Sequence, residues 1–229
     1  MAVKVMTLVP KYLNPIRLLI GAARRASDFR VQRMRAQRYA KAKAWLNHSA
    51  GPLKVNVGCG QEPFPGWTNL DLDPGSRADI VWDVTDGLPF PDGSCAFIYS
   101  EHFLEHLPVQ GGVRFLKECH RSLQENGVLR VAMPSVQEVV RQYYENDWAN
   151  KPWLEKYGYT WIKTRAEYIN IGFREWGHQW LYDAEELDRR LREAGFSQID
   201  AVAWGESKYA ELRSRETRKE TLLLMEATK

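Results

Sequence analysis

Residues Leu53-Lys54-Val55-Asn56-Val57 form a short apolar run that stops at Gly58-Cys59-Gly60, two glycines spaced G-x-G. The valines suit a pleated strand. The glycines let the backbone turn sharply and approach a ligand with no Cβ in the way. Alone, this pattern fits a plain tight turn as well as a pocket floor. The residues after it decide between them.

The next segment, Gly66 to Pro74, reads as a second strand ending at Asp71, a carboxylate placed to accept hydrogen bonds from both hydroxyls of a ribose or simply to cap a turn. Ala78 to Val84 gives a third strand ending in Asp83, and Cys95 to Tyr99 a fourth, followed by Ser100-Glu101-His102-Phe103-Leu104-Glu105-His106. Val113 to Gln124 carries a helical period that Asn126-Gly127 is expected to end. Val128 to Met133 is the fifth strand. Alternating strands and helices predict an α/β fold with a parallel, doubly wound sheet whose ligands sit at the strands' carboxyl ends. A dinucleotide oxidoreductase is excluded, because G-x-G-x-x-G would need glycine where Pro63 stands.

The ordered set Val55 to Gly60, Asn69-Leu70-Asp71, Leu88-Pro89-Phe90, Ser100 to His106 and Arg121 to Val131 resembles the class I S-adenosylmethionine-dependent methyltransferases, in particular their type 11 branch. The resemblance covers about residues 53 to 203. It implies a Rossmann-like sheet of seven strands with an antiparallel edge strand, and S-adenosylmethionine as cofactor, leaving as S-adenosylhomocysteine. It also implies that Val57, Gly58, Cys59 and Gly60 pass the methionine part of that cofactor. Asp71 with Leu72 would hold the ribose, Asp83 and Val84 would flank the adenine, and Ser100 and Glu101 would lie near the transferred methyl. Two positions depart from the family pattern: Ala96 stands where an aspartate is usual, and Glu125-Asn126-Gly127 replaces a Pro-Gly-Gly turn.

Six of the nine tryptophans fall after residue 140. By analogy with such folds, residues 135 to 182 are expected to be an insertion covering the acceptor. Its aromatics serve either as a wall for a ring, sugar or lipid-linked group or as the insertion's own small core. Methyl transfer to a hydroxyl gains from a base that titrates near neutrality. The candidates are His178, His102 and His106; the last two stand four apart, which predicts one face of a short helix. No acidic or cysteine set accompanies that pair, so no metal site is expected. His120 and His48 look peripheral. Asp183 is the expected N-cap of a helix ending at Gly195, with Glu186 completing a capping box. Ile199 to Trp204 and Thr221 to Met225 are the last strands, and Glu206 to Lys219 a solvated charged connection.

Residues 1 to 50 form a separate basic arm, with eleven lysines and arginines up to His48 against the single acid Asp28. From Pro15 a helix is expected whose face holds Ile16, Ile20, Ala23, Val31, Met34, Ala42 and Trp45. It either packs across the body, or lies over residues 16–46 on an anionic membrane surface, or binds nucleic acid. Aromatics are too few in it for base stacking, and Leu18-Leu19-Ile20 is too short for a signal peptide. Cys59, Cys95 and Cys119 show no metal or disulfide spacing, which fits reduced thiols and a cytoplasmic location, with the arm able to touch the inner membrane face. The expected reaction is methyl transfer to a hydroxyl or amine of a small-molecule or glycan acceptor, in polysaccharide, cell-envelope or secondary-metabolite biosynthesis, and a homodimer is compatible with it. The alternatives are a non-catalytic scaffold docking through the arm and a nucleic-acid methyltransferase. The acidic body counts against the second.

Overall fold

The computed structural model describes residues 32–47 and 51–229. Residues 32–46 form helix α1. The helix start at Pro15, the face residues Ile16 to Val31 and His48 lie outside the described residues. Two compact units divide the chain at residues 41 and 42. The larger begins upstream of residue 51 because Ala42 is buried and Leu46 packs against its core; Trp45, expected on that face, is exposed.

The larger unit continues with β1 (Leu53–Val57), β2 (Thr68–Asp71), β3 (Ile80–Val81), β4 (Cys95–Glu101), α2 (Val109–Ser122) and β5 (Leu123–Met133). After these come α3 (Val136–Glu145), α4 (Pro152–Lys156), α5 (Arg165–Arg174), α6 (Ala184–Ala194), β6 (Gln198–Ala201) and β7 (Leu223–Thr228). The seven strands lie in the order β3-β2-β1-β4-β5-β7-β6. β1 pairs in parallel with β2 and β4, whereas β7 runs antiparallel to β5 and β6. The order reverses between β1 and β4, as the sequence implies.

One face of the sheet is an aliphatic core. Val55, Val57, Leu70, Ile98, Leu129 and Val131 meet Phe115 and Leu116 of α2 and Leu187 and Leu191 of α6. Each such side chain contributes about 1.5–3 kcal/mol on burial. Strand–helix alternation does not extend to the first three strands: no α-helix lies between β1 and β4. An aromatic cluster replaces it. Phe64, Trp67 and Tyr99 pack with Val128, Leu212 and Tyr209, and the Arg215 guanidinium lies 4.9 Å from the Phe64 ring centre. The stretch 206–219 is therefore more than a solvated connection: Leu212 and Glu216 are buried in it as cover for the sheet face without a helix, while charged residues such as Lys208 and Arg213 stay exposed.

Arg130, fully buried in β5, is held there by Glu216 from this cover and Glu226 from β7. Asn126-Gly127 falls inside β5 rather than ending α2. The register shifts from Cys95↔Leu123 to Phe97↔Val128, and a Cβ at Gly127 would lie 3.1 Å from the Cys95 carbonyl oxygen. β3 is only two residues long, since Asp83 caps a 3₁₀ turn over Val84–Asp86. Asp183 does cap α6, accepting from the Glu186 amide at 2.9 Å, but the Glu186 carboxylate turns to Arg189 and Arg190. The completed capping box belongs to Thr164 and Glu167.

Candidate active site

The carboxyl ends of β1 and β4 flank the reversal of strand order, where open α/β sheets hold ligands. Gly58 and Gly60 both have positive φ, 73° and 50°. A Cβ on Gly58 would lie 2.6 Å from Cδ2 of Phe103, so the ring packed there requires that glycine. A Cβ on Gly60 would meet nothing within 4 Å, so Gly60 borders open space. The Gly60 amide donates to Asp71 Oδ2 and the Asp73 amide to Oδ1, each at 2.8 Å. Lone pairs on both oxygens remain for a diol.

Cys59 is buried, and burial followed by the charges of Asp71 and Asp79 pushes its thiol up to about 12. It contributes backbone, its amide donating to the Leu70 carbonyl at 3.1 Å. Leu72 is exposed and Val84 packs half-buried on the core. Asp83 accepts from the amide and hydroxyl of Thr85, at 3.0 and 2.7 Å. Ser100 is buried, with a hydroxyl that bonds nothing among the described residues. Glu101 is heavily used: it accepts from the amides of Thr217 and Arg218 and the hydroxyls of Thr217 and Thr221. It clamps the C-terminal segment onto the end of β4.

That segment is one wall of a cavity of about 800 Å³, whose lining includes His102, His106, Trp153, Trp176, His178 and Arg218. None of the residues expected to hold the cofactor lines it. Phe103 links the two regions, since it touches Gly58 and follows His102 directly. Residues 135–182 close on themselves: Ser135 bridges Tyr182, and the Val136 amide donates to the Tyr182 carbonyl at 2.9 Å. Trp148, Leu154, Ile162, Tyr168 and Ile171 form the insertion's own core, while Trp153, Tyr157 and Trp176 face the cavity. The insertion's own core is thus present, and Tyr168 and Trp153 belong both to it and to the cavity lining.

The three candidate histidines do converge on the cavity, but not as expected. His102 and His106 do not share a helical face, because His102 has φ 48° and precedes a single 3₁₀ turn, Leu104–His106. His102 Nε2 lies 3.0 Å from the Thr221 hydroxyl and its Nδ1 3.4 Å from Glu105 Oε1. His106 instead meets His178, ring centres 5.0 Å apart. The Gln179 and Trp180 amides donate to the Glu105 carbonyl, which brings His178 there. Nδ1 of His178 bonds the Gly172 carbonyl at 2.8 Å.

Burial lowers all three histidines. His102 falls to about 3, helped by Arg218, His178 and His106, so the imidazoles are neutral near pH 7. The histidines also have an acidic companion. Glu105 is completely buried, and burial raises its carboxyl to about 8. The sequence carries a signal for Glu105, an acid inside the apolar run Phe103 to Leu107. None marks Arg218 or Thr221.

Residues 55–131 match the family model described as "Methyltransferase domain". Over those residues, 77 of the 229, the chain is similar to a methyltransferase domain. Its fold is similar to that of a SAM-dependent methyltransferase from Thermotoga maritima (TM-score 0.50, 18% identity, 83% of this chain and 89% of that one). A SAM-dependent methyltransferase from Archaeoglobus fulgidus gives 0.49 at 15% identity over 83% and 92%. Phosphoethanolamine N-methyltransferase 2 of Haemonchus contortus, solved with S-adenosyl-L-methionine, gives 0.46 at 14% over 73% and 38%. No curated protein matches. The residues at these strand ends suit an adenosyl cofactor: Gly60 has an open side, Asp71 keeps lone pairs, and the Ser100 hydroxyl has no partner among the described residues. No described helix is long and apolar enough to cross a membrane.

Proposed function

We propose that this chain is an S-adenosylmethionine-dependent methyltransferase that moves the methyl group to a hydroxyl or amine of a small molecule or glycan seated in the 800 Å³ cavity. The cavity carries the reading. Its volume suits a small ligand rather than a polymer, and His102 in its lining is followed directly by Phe103, whose ring packs on the Gly58 turn. S-adenosylmethionine supplies a methyl carbon whose bond to sulfur breaks, the electron pair staying on sulfur, as an acceptor lone pair forms the new bond. Asp71 and the Gly60 backbone hold the cofactor's ribose and methionine, leaving the β4 end to meet the acceptor. Trp153 and Trp176 offer flat faces against which a sugar ring packs. The imidazoles of His106 and His178 face the acceptor, and holding the nucleophile in line with the methyl group favours the displacement. That chemistry fits an acceptor from polysaccharide or secondary-metabolite assembly.

The test is to incubate cell extract with enzyme and isotopically labelled cofactor and to follow the label by mass spectrometry. Label in a small molecule or glycan is expected. Label confined to RNA or protein overturns the reading.

A further inference from the structure

Glu105 offers two carboxylate oxygens that are fully buried and bond no donor among the described residues. Buried polar atoms are nearly always satisfied. The imidazole nearest it, His102, offers it no proton. The Thr221 hydroxyl gives its proton to Glu101 Oε1 at 2.9 Å, so it accepts from His102 Nε2–H. His102 Nδ1 is thereby a lone pair, facing Glu105 Oε1 at 3.4 Å. On the other side, His178 donates Nδ1–H to the Gly172 carbonyl, which leaves its Nε2 as a lone pair. His106 packs beside Gly177 and against the His178 ring. One ligand atom each from Glu105, His106 and His178 lie within 4.8 Å of one another. Glu105, His106 and His178 thus bring one oxygen and two nitrogen ligand atoms to one point.

We infer that Glu105, His106 and His178 bind a divalent first-row transition ion at the inner end of the cavity, with His102 beside Glu105 as an adjoining nitrogen. Two imidazoles and one carboxylate suit Mn²⁺, Fe²⁺, Co²⁺ or Zn²⁺ and select against Mg²⁺, which prefers oxygen throughout. The Gly172 carbonyl is the outer partner that a metal-bound imidazole uses to fix its tautomer. Two non-glycine residues with positive φ flank the group, His102 at 48° and Trp176 at 57°. Such backbone persists where the surroundings impose it, as they do at functional sites. Three protein ligands leave coordination positions open toward the cavity. Resting on the reading of the cavity as the acceptor chamber, the ion binds an acceptor hydroxyl oxygen, lowers its pKa and lets its proton pass to water. The histidines then act through the ion, and none is the proton acceptor itself.

The experiment uses full-length protein dialysed against chelator and titrated with Co²⁺, read by visible absorbance and calorimetry, without cofactor or acceptor. One equivalent with ligand-field bands is expected. Glu105→Gln and His178→Gln should each weaken binding at least tenfold, with far-UV circular dichroism unchanged. Glu105 is buried, so His178→Gln at the cavity wall decides if Glu105→Gln misfolds. Absence of stoichiometric binding, or equal affinity in folded His178→Gln, overturns the site. Ion binding without label transfer to any small molecule would leave the site and remove the acceptor reading. Label transfer unchanged by chelator, with no Co²⁺ bound, would do the reverse.

Discussion

Glu101 holds Thr217 through both carboxylate oxygens, accepting the Thr217 amide at 3.0 Å and its hydroxyl at 2.8 Å. The grip joins residues 116 apart in sequence and places Arg218, Lys219 and Glu220 on the cavity wall. If the cavity holds the acceptor, Glu101 serves that side by positioning a wall. Glu101→Ala should raise the acceptor KM about tenfold or more while cofactor affinity changes less than about threefold, since charge-assisted hydrogen bonds contribute about 1.5–3 kcal/mol. Calorimetry with S-adenosylhomocysteine beside steady-state kinetics separates the two. A large loss of cofactor affinity would place Glu101 at the methyl group instead.

Asp71 is predicted to show the opposite split. Its carboxylate fixes Gly60 and Asp73 and keeps lone pairs that a diol could use. Asp71→Ala should cost about 10- to 100-fold in cofactor affinity, by the same hydrogen-bond magnitudes. Acceptor KM at saturating cofactor should stay near wild type. Unchanged affinity for S-adenosylhomocysteine by calorimetry would remove Asp71 from the ribose site.

The elements legible in the sequence are those with local causes. β1 ends at its glycines, Asp183 caps α6 and Gly195 ends it in a left-handed turn of φ 112°. What was not legible depends on distant partners. The sheet face between β1 and β4 has no helix, so Leu212, Arg215 and Glu216 are drawn into its cover from a stretch that reads as polar. Charge alone cannot show that Glu216 meets Arg130. Spacing likewise brought His102 and His106 together as a pair, whereas the positive φ of His102 and the pinning of Gln179 and Trp180 exchange that pair for His106 with His178.

Arg130 supplies a stability prediction. Glu216 Oε1 accepts from Arg130 Nε at 2.7 Å and Glu226 Oε1 from Nη1 at 2.6 Å, all three side chains buried. Arg130→Met leaves two carboxylates buried without a cation. Breaking a buried pair in this way costs about 3–5 kcal/mol. Glu226→Gln keeps a hydrogen-bond acceptor and one ion pair, so it should cost less. Urea denaturation of both variants checks the order, and equal midpoints would show that the triad contributes no net attraction.

The acid limb of stability should report Glu118. Its carboxylate accepts from Arg121 Nε at 3.0 Å and from the Leu88 amide at 2.9 Å, anchoring the loop before β4 to α2. The Arg121 hydrogen bond, then the Leu88 amide, hold the carboxyl below its ordinary 4.5 against the opposing effect of partial burial. A carboxylate depressed in the folded state adds stability above the unfolded pKa and loses it as pH falls through the folded pKa. The difference in Tm between wild type and Glu118→Gln should therefore be greatest above about pH 5 and shrink steadily below 4.5. Scanning calorimetry from pH 3 to 7 measures it, and a difference that grows toward acid would reverse the assignment.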